Sequence, residues 1–145
     1  MRVLSFDPGG TTGFCYQDEN QTFDMGDAEP TLIEFLRAWN LVDKPVQYVV
    51  VEGYRLLPGK EYTNFHAAPT TQENIGRIKG WAELMGLPVH EYLPKEKPTQ
   101  CKATQVFPKT KTKWLEHRLD AYNHGRYFLI QKGLAKTALE IEMGL

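Results

Sequence analysis

Two acidic residues of this chain each end a hydrophobic run and begin a glycine-containing loop. Asp7 follows "VLSF" and precedes "PGGTTG", and Glu52 follows "QYVVV" and precedes Gly53. A carboxylate buried at the end of a strand costs several kcal/mol, roughly, unless a charge or dense hydrogen bonding compensates it. If the two strands are neighbours, both acids lie at one edge of the sheet, within a few ångströms of each other.

A third group of polar residues lies near the C-terminus, in the stretch "EHRLDAYNHG". Its residues His117, Asp120 and His124 are spaced i, i+3 and i+7, so they share one face of a helix. Carboxylate and imidazole groups are ligands that suit Mg²⁺ or Mn²⁺. Clustered carboxylates repel one another, and a divalent cation removes that penalty. The five residues together predict a metal site.

Each of these residues also has a simpler explanation when it is taken alone. Asp7 before Pro-Gly-Gly suits a turn cap. Glu52 at a strand end suits an ion pair with Arg55 or a lysine, and isolated histidines such as His117 and His124 commonly lie on the surface. The two strand-end acids occur together with His117, Asp120 and His124 on one helical face, and this combination favours the metal site.

The elements that must position these residues follow from hydrophobic periodicity. A continuous run of β-branched residues at 46–52 is typical of a central strand that is covered on both faces. Three early strands followed by alternating helices and strands predict one α/β domain over residues 1–145. The predicted strands are 3–7, 12–16, 21–25, 46–52 and 88–93; the predicted helices begin at Pro30 and span 71–85 and 114–132, with a short helix inside 94–113 and a frayed tail or short helix over 134–145.

Composition places the chain among ordinary globular proteins. It has 145 residues, of which 41% are hydrophobic and 24% charged. No apolar run approaches the roughly 20 residues of a membrane span, and no signal peptide opens the sequence, so we expect no membrane association. Two cysteines without metal-site spacing, Cys15 and Cys101, favour a reducing compartment and a cytoplasmic location.

The charges are unevenly distributed along a chain whose formal net charge is only −1. The N-terminal third is acidic, whereas the segment 95–118 is basic. A basic segment on a near-neutral protein indicates either a phosphate-binding face or a solvated lysine-rich loop. Its basic residues are Lys95, Lys97, Lys102, Lys109, Lys111, Lys113 and Arg118.

Four motifs in this order resemble those of the RNase H-like nuclease superfamily, and within it the RuvC-type Holliday junction resolvases, especially phage-encoded ones. "DPGGTTG" is similar to the first-strand motif of the family, and "VVVEGYR" to its second acidic strand. "IGRIKGWAELMGLPVHEYLPKEKPTQCK" resembles the helix, strand and Pro-x-x-x-Lys element that follow. "HRLDAYNHGRYFL" resembles the closing helix. Together these motifs cover most of the chain.

The resemblance implies an RNase H-like, five-stranded mixed sheet, with three antiparallel strands and then two parallel ones, flanked by helices. It also implies a site that holds two Mg²⁺ or Mn²⁺ ions per active centre and hydrolyses a phosphodiester. The metal-binding and catalytic residues would be Asp7, Glu52, His117 and Asp120, with His124 as an accessory candidate. The DNA contacts would come from Gly9, Gly10, Arg55, Lys102, Lys109, Lys111 and Lys113.

The implied function is a structure-selective endodeoxyribonuclease that resolves four-way junctions as a homodimer, because two symmetric nicks need two active sites. In the family the helix after the second acidic strand forms the dimer contact. Here that helix is 71–85, and its apolar band looks wide for a helix that covers only one sheet. The other interpretation is that this band belongs to the core. It consists of Ile75, Ile78, Trp81, Ala82 and Met85.

Three other functions compete with junction resolution. An RNase H-like nuclease could act on flaps, forks or RNA-containing substrates instead. A catalytically inactive DNA-binding module would not need the intact acidic set. An actin-like phosphotransferase has a similar phosphate-binding loop but needs a duplicated fold of more than twice this length. Substrate preference is the least defined property, because the segment between Lys102 and His117 is shorter than in cellular resolvases and the loop after Glu52 carries its own aromatic residues.

Overall fold

The fold is a five-stranded mixed sheet with helices on both faces. The computed structural model describes the backbone of residues 1–53, 67–105 and 113–145, with side chains from residue 70 in the second range and from residue 117 in the third. The strand order is β3-β2-β1-β4-β5. The first three strands pair antiparallel, whereas β4 is parallel to β1 and β5 is parallel to β4. The strands are β1 Val3–Asp7, β2 Gly13–Gln17, β3 Thr22–Asp27, β4 Tyr48–Glu52 and β5 Val89–Tyr92.

In the described parts of the chain, five α-helices connect and cover these strands. Thr31 caps the first helix by accepting a hydrogen bond from the backbone N–H of Glu34. Gly133 follows the fourth helix in the left-handed conformation, as a C-terminal cap requires. The helices are α1 Leu32–Asn40, α2 Ala67–Leu84, α3 Lys97–Thr104, α4 Lys113–Gln131 and α5 Ala138–Glu142, with a 3-10 turn at Pro94–Glu96.

The period of two along the central strands divides the core between the two faces of the sheet. On β1, Leu4 and Phe6 join the core beneath α1 and α2, whereas Val3 lies in the core beneath α4. On β4, Val49 and Val51 face α1 and α2, and Val50 faces α4. The same alternation directs the next residues of both strands, Asp7 and Glu52, towards α4.

Helix α4 lies unusually close to the sheet at two glycines. A Cβ atom at Gly13 would be 2.3 Å from the backbone carbonyl carbon and oxygen of His117, and one at Gly125 would be 2.7 Å from Ser5 Oγ. The Ser5 hydroxyl donates to the Ala121 carbonyl at 2.6 Å. The side-chain amide of Gln17 donates to the Tyr122 carbonyl at 3.1 Å. These buried contacts fix the position of α4 along the sheet.

The structure confirms the predicted α/β class, the mixed sheet and the order of its elements. Residues 134–145 contain the short helix α5 rather than a frayed tail. Four of the five residues of the apolar band belong to the core, because Ile75, Ile78, Trp81 and Ala82 are buried against the sheet and α1, whereas Met85 is 48% exposed. The width of this band therefore gives no support to a dimer contact. Among the described helices none has the length and apolarity to cross a bilayer.

The close approach of α4 predicts a strong asymmetry between two glycine substitutions. Gly13→Ala should lower the free energy of unfolding by about 1–3 kcal/mol, because its methyl group would overlap the backbone of His117. Gly76→Ala is the control, since an added Cβ on this exposed turn of α2 meets no described atom within 4 Å. Helix propensity should make that variant more stable by about 0.5–1 kcal/mol. Denaturant unfolding of both variants measures the difference, and equal stabilities would contradict the packing described.

Candidate active site

The site begins with two carboxyl groups at the ends of adjacent parallel strands. Phe6 of β1 pairs with Val51 of β4, so the next residues, Asp7 and Glu52, lie side by side. Both side chains are buried, with 6% and 9% of the residue surface exposed. The structure thus confirms that the two strand-end acids meet at one edge of the sheet.

Helix α4 supplies the groups that cover these acids. His117 Nδ1 lies 2.7 Å from Asp7 Oδ2, and His124 Nε2 lies 3.2 Å from Glu52 Oε2. The two histidines are seven residues apart and therefore point to the same side of the helix, which runs across the ends of β1 and β4. His117 is partly exposed, whereas His124 is fully buried. The interpretation of His124 as a surface histidine is wrong.

A buried glutamine holds the His124 ring in place. The carbonyl oxygen of Gln100, on α3, accepts a hydrogen bond from His124 Nδ1 at 2.6 Å. The other ring nitrogen, Nε2, faces the Glu52 carboxylate at 3.2 Å and would be the atom that binds a metal once it no longer donates to that carboxylate. This is the arrangement in which an outer residue orients a metal-binding histidine and fixes its tautomer.

The third acid of the site, Asp120, is paired with a lysine that the sequence motifs did not single out. Lys97 Nζ lies 2.7 Å from Asp120 Oδ2, and Asp120 is 4% exposed. Burial lowers the pKa of Lys97, but the hydrogen bond to Asp120 and the negative charge of Glu52 outweigh burial and raise this pKa to about 12. Asp120 Oδ1 is buried and has no hydrogen-bond partner among the described residues.

The pKa values of the two central acids, Asp7 and Glu52, are shifted in opposite directions. Burial and the neighbouring Glu52 carboxyl raise the pKa of Asp7 well above its ordinary value. Burial acts in the same direction on Glu52, but hydrogen bonds from His124 and Asp7 outweigh it and lower the pKa of Glu52. Asp7 is therefore the acid of the pair that more readily retains a proton, since two adjacent buried carboxylates repel each other.

The geometry of this cluster fits a divalent metal ion. Asp7, Glu52 and His124 each offer one ligand atom, and these atoms lie within 4.8 Å of one another. Carboxylate oxygens suit Mg²⁺ and Mn²⁺, whereas an imidazole nitrogen suits transition metals, so this donor set favours Mn²⁺ over Mg²⁺. Asp120 Oδ1, which is buried and has no partner among the described residues, leaves an acceptor that a cation could contact.

The loop after Asp7 is held from the other side by α2. Asn74 donates a hydrogen bond to the Gly9 carbonyl at 2.8 Å. A Cβ atom at Gly9 would approach the Thr11 carbonyl oxygen to 3.1 Å and His117 Cε1 to 3.4 Å, so a side chain here would crowd the histidine. A Cβ at Gly10 would meet no described atom within 4 Å, and Gly10 is exposed.

The predicted DNA contacts are only partly described. Lys102 lies on α3 and is exposed. Arg55, Lys109 and Lys111 fall outside the described residues, and only the backbone of Lys113 is described. The roles assigned to these basic residues stay predictions.

Sequence reasoning missed three residues that contact the site. The Pro-x-x-x-Lys motif directed attention to Lys102, whereas the structure places Lys97 against Asp120. Gln100 follows Lys97 by three residues, so a helical face carrying both was available as a signal once α3 was predicted. Asn74 gave no signal, because its contact with Gly9 joins residues 65 positions apart.

Comparison with known proteins supports the fold without a close relative. No known family profile matches the sequence, and no curated protein matches it. T. thermophilus RuvC, solved in complex with a Holliday junction substrate, is 17% identical, with a TM-score of 0.64 over 94% of this chain and 99% of its own. Another structure of Thermus thermophilus RuvC matches over the same shares with a TM-score of 0.54.

A viral protein has the same architecture. The Fowlpox virus resolvase, solved with Holliday junction DNA, is 14% identical over 89% of this chain and 99% of its own, with a TM-score of 0.54. At such identities the likeness establishes the fold. This chain therefore has the RNase H-like fold of the RuvC-type resolvases, as its sequence motifs predict.

Proposed function

We propose that this protein is a metal-dependent endonuclease that resolves Holliday junctions or related branched DNA by phosphodiester hydrolysis. The observation that carries the proposal is the buried cluster of Asp7, Glu52 and Asp120, covered by two histidines of α4. The solved structures that share its fold include two resolvases bound to Holliday junction DNA. Among the described residues, one lysine and two histidines contact these three buried acids, and Asp120 Oδ1 has no partner, which leaves a place for a cation.

The metal would be Mg²⁺ or Mn²⁺, with two ions per site. Asp7, Glu52 and His124 would hold one ion, and Asp120 and His117 would complete the second site together with Asp7. When bound, the ions would activate a water molecule and stabilise the leaving oxygen in an in-line displacement. The ligand atoms of Asp7, Glu52 and His124, which lie within 4.8 Å of one another, support adding His124 to the ligand set.

The remaining residues of the site would act on the substrate strand. His117, 2.7 Å from Asp7, would orient the attacking water when it does not serve as a ligand. The Gly9–Gly10 backbone would lie against the phosphate, where a side chain would obstruct the approach. The basic residues Arg55, Lys102, Lys109, Lys111 and Lys113 would contact DNA phosphates and make the affinity depend on salt.

We also propose a homodimer, which would place two such sites on a four-way junction. The buried band of α2 is unavailable, but the opposite face of the helix carries two glycines one turn apart. Cβ atoms at Gly76 and Gly80 would meet no described atom within 4 Å, and Leu84 on the same face is 90% exposed. Two such helices could approach closely along this face.

The compartment proposed is the cytoplasm, or the host cytoplasm if a phage encodes the chain. Both cysteines, Cys15 and Cys101, are unpaired and buried. Thiols that stay reduced are typical of proteins that work in a reducing compartment.

Removal of one carboxylate should separate cutting from binding. Asp7→Asn should reduce nicking of a synthetic four-way junction to background, while DNA affinity stays within a few-fold, because phosphate contacts elsewhere carry the binding. Asp24→Asn, at an exposed position of β3, removes the same charge and should cut normally. The junction should be compared with forks, flaps and an RNA–DNA duplex; preferential cutting of one of these would favour the alternative nuclease. Full activity of Asp7→Asn would exclude the site.

The stabilisation of the folded protein by metal ions tests the same site without any measurement of cutting. Mg²⁺ or Mn²⁺ at about 100 times its dissociation constant should add about 2.7 kcal/mol to the free energy of unfolding of the wild type. Asp7→Asn should lose most of this gain, and EDTA should abolish nicking by the wild type. Equal stabilisation of both proteins by metal would place the ion elsewhere.

The two lysines of α3 should have different effects. Lys97→Met should slow single-turnover cutting at saturating protein, on the order of tenfold or more, because Asp120 loses the ammonium that orients it. Lys102→Met should instead weaken DNA binding and lower the salt slope by about one. Each variant is the control for the other. Slower cutting by Lys102→Met together with weaker DNA binding by Lys97→Met would instead assign Lys102 to the site. Cutting at the wild-type rate by Lys97→Met would show that Lys97 takes no part in the site.

The dimer is tested by sedimentation at micromolar concentration, with and without junction DNA. The wild type should sediment at twice the 16.6 kDa chain mass in at least one condition. Gly80→Arg should shift it to a monomer, since a long charged side chain keeps two α2 helices apart. Ala38→Arg, at an exposed position of α1, adds the same charge elsewhere and should leave the dimer intact. A monomer in both conditions that still cuts both strands in step would refute the dimer.

A further inference from the structure

A tyrosine of strand β5 lies beside one of the two strand-end acids. Glu52 and Tyr92 are paired in the parallel register of β4 and β5, so their side chains point to the same face of the sheet, towards α4. Tyr92 is 2% exposed and belongs to the core beneath that helix. The Gly53 N–H donates to the Tyr92 carbonyl, which ties the end of β4 to β5 at this position. The backbone therefore fixes Tyr92 next to a proposed metal ligand.

The ring of Tyr92 is stacked on the imidazole ring of His124. The two ring centroids are 6.1 Å apart and the ring planes are inclined by 21°, an offset arrangement in which aromatic rings attract each other. The His124 nitrogens are held by other partners, since Nδ1 contacts Gln100 and Nε2 lies 3.2 Å from Glu52 Oε2. Those contacts lie in the plane of the ring. Tyr92 restrains the direction that they leave open, which is the tilt of the ring out of that plane.

The hydroxyl group of Tyr92 holds a second point on α4. It donates a hydrogen bond to the side-chain oxygen of Gln131, the last residue of the helix. Gln131 follows His124 by seven residues, as His124 follows His117, so all three share one face of α4. A rotation of α4 that moved His124 away from Glu52 would therefore also break the hydrogen bond of Tyr92.

A second tyrosine beneath α4 makes a comparable packing contact farther from the acids. Tyr48, on β4, packs against Phe128 with the ring centroids 4.5 Å apart, and the Lys132 ammonium lies 5.8 Å from the Tyr48 ring centroid. Both partners follow His124 along the helix. Tyr48 thus supports α4 as a helix, whereas Tyr92 also touches a histidine of the site.

We propose that Tyr92 is a positioning residue of the metal site, whose stacked ring holds the His124 imidazole in the orientation that presents Nε2 to the ion. The proposal rests on the metal site of the proposed nuclease and adds a determinant of its affinity for the ion. An outer residue commonly orients a metal-binding histidine through a hydrogen bond to its other nitrogen, and Gln100 makes that bond here. A single hydrogen bond leaves the ring free to tilt about it, and the stacked tyrosine removes this freedom.

Binding of Mn²⁺ to the protein without DNA tests this role, with the electron paramagnetic resonance signal of the unbound ion as the measure. Tyr92→Leu and Tyr92→Met remove the ring, and each should weaken Mn²⁺ binding on the order of tenfold, as the loss of an orienting partner does. Tyr92→Phe keeps the ring and should restore most of the affinity. Tyr48→Met removes a similar aromatic contact with α4 and should bind Mn²⁺ as the wild type does. Denaturant unfolding of each variant identifies those that fold.

The dependence of cutting on Mn²⁺ concentration gives a second readout. The Tyr92 variants without a ring should need about tenfold more Mn²⁺ for half-maximal nicking of a four-way junction, while the maximal rate stays near that of the wild type. A loss of folded protein would instead lower the maximal rate.

The outcomes separate the positioning role from the nuclease function. Mn²⁺ affinity equal to that of the wild type in the Tyr92 variants, or equal weakening by Tyr48→Met, would overturn the role of Tyr92 and leave the nuclease standing. Weakened Mn²⁺ binding in a protein that cuts no branched DNA would keep the role and overturn the nuclease. A wild type that binds no Mn²⁺ would overturn both.

Discussion

The contact between the carboxyl groups of Asp7 and Glu52 is the constraint to which the rest of the site responds. Adjacent parallel strands in this register bring the two acids together, and their burial makes the repulsion between them expensive. The surrounding groups reduce that repulsion by three different means. His117 contacts Asp7, His124 contacts Glu52, and the raised pKa of Asp7 favours its neutral form. Both histidines lie on α4, and Gln100 of α3 holds one of them, so these two helices must pack where the two strands end.

The position of α4 along the sheet is fixed by polar contacts rather than by shape alone. Ser5 and Gln17 donate to carbonyl groups of α4, and Gly13 and Gly125 allow the close approach that these hydrogen bonds need. A shift of α4 by one residue would rotate its side chains by about 100° and move both histidines away from the acids. The packing of an ordinary hydrophobic helix tolerates more variation than this, so the buried polar layer gives the site its precision.

The sequence was sufficient to predict the sheet, the helix order and the acids, because periodicity and strand ends depend on local patterns. It was insufficient for Lys97 and Gln100, whose roles depend on how α3 docks against α4. The apolar band of α2 was misleading for a related reason. Its width was judged against one sheet, but Trp81 also reaches α1, where its ring N–H donates to Asn40 at 2.9 Å. A second covering surface widens the band that a single chain can bury.

The balance of charge within the site leaves a place for the proposed metal ions, although a lysine already contacts one of the acids. The positive charge of Lys97 reaches one oxygen of Asp120, and the other oxygen has no partner among the described residues. The raised pKa of Asp7 shows that burial and the Glu52 carboxyl oppose its ionisation. A DNA phosphate would add further negative charge to the same volume, which increases the repulsion. Divalent ions would supply charge at the points where the lysine does not reach, and ionised Asp7 would then become a ligand rather than a hydrogen-bond donor.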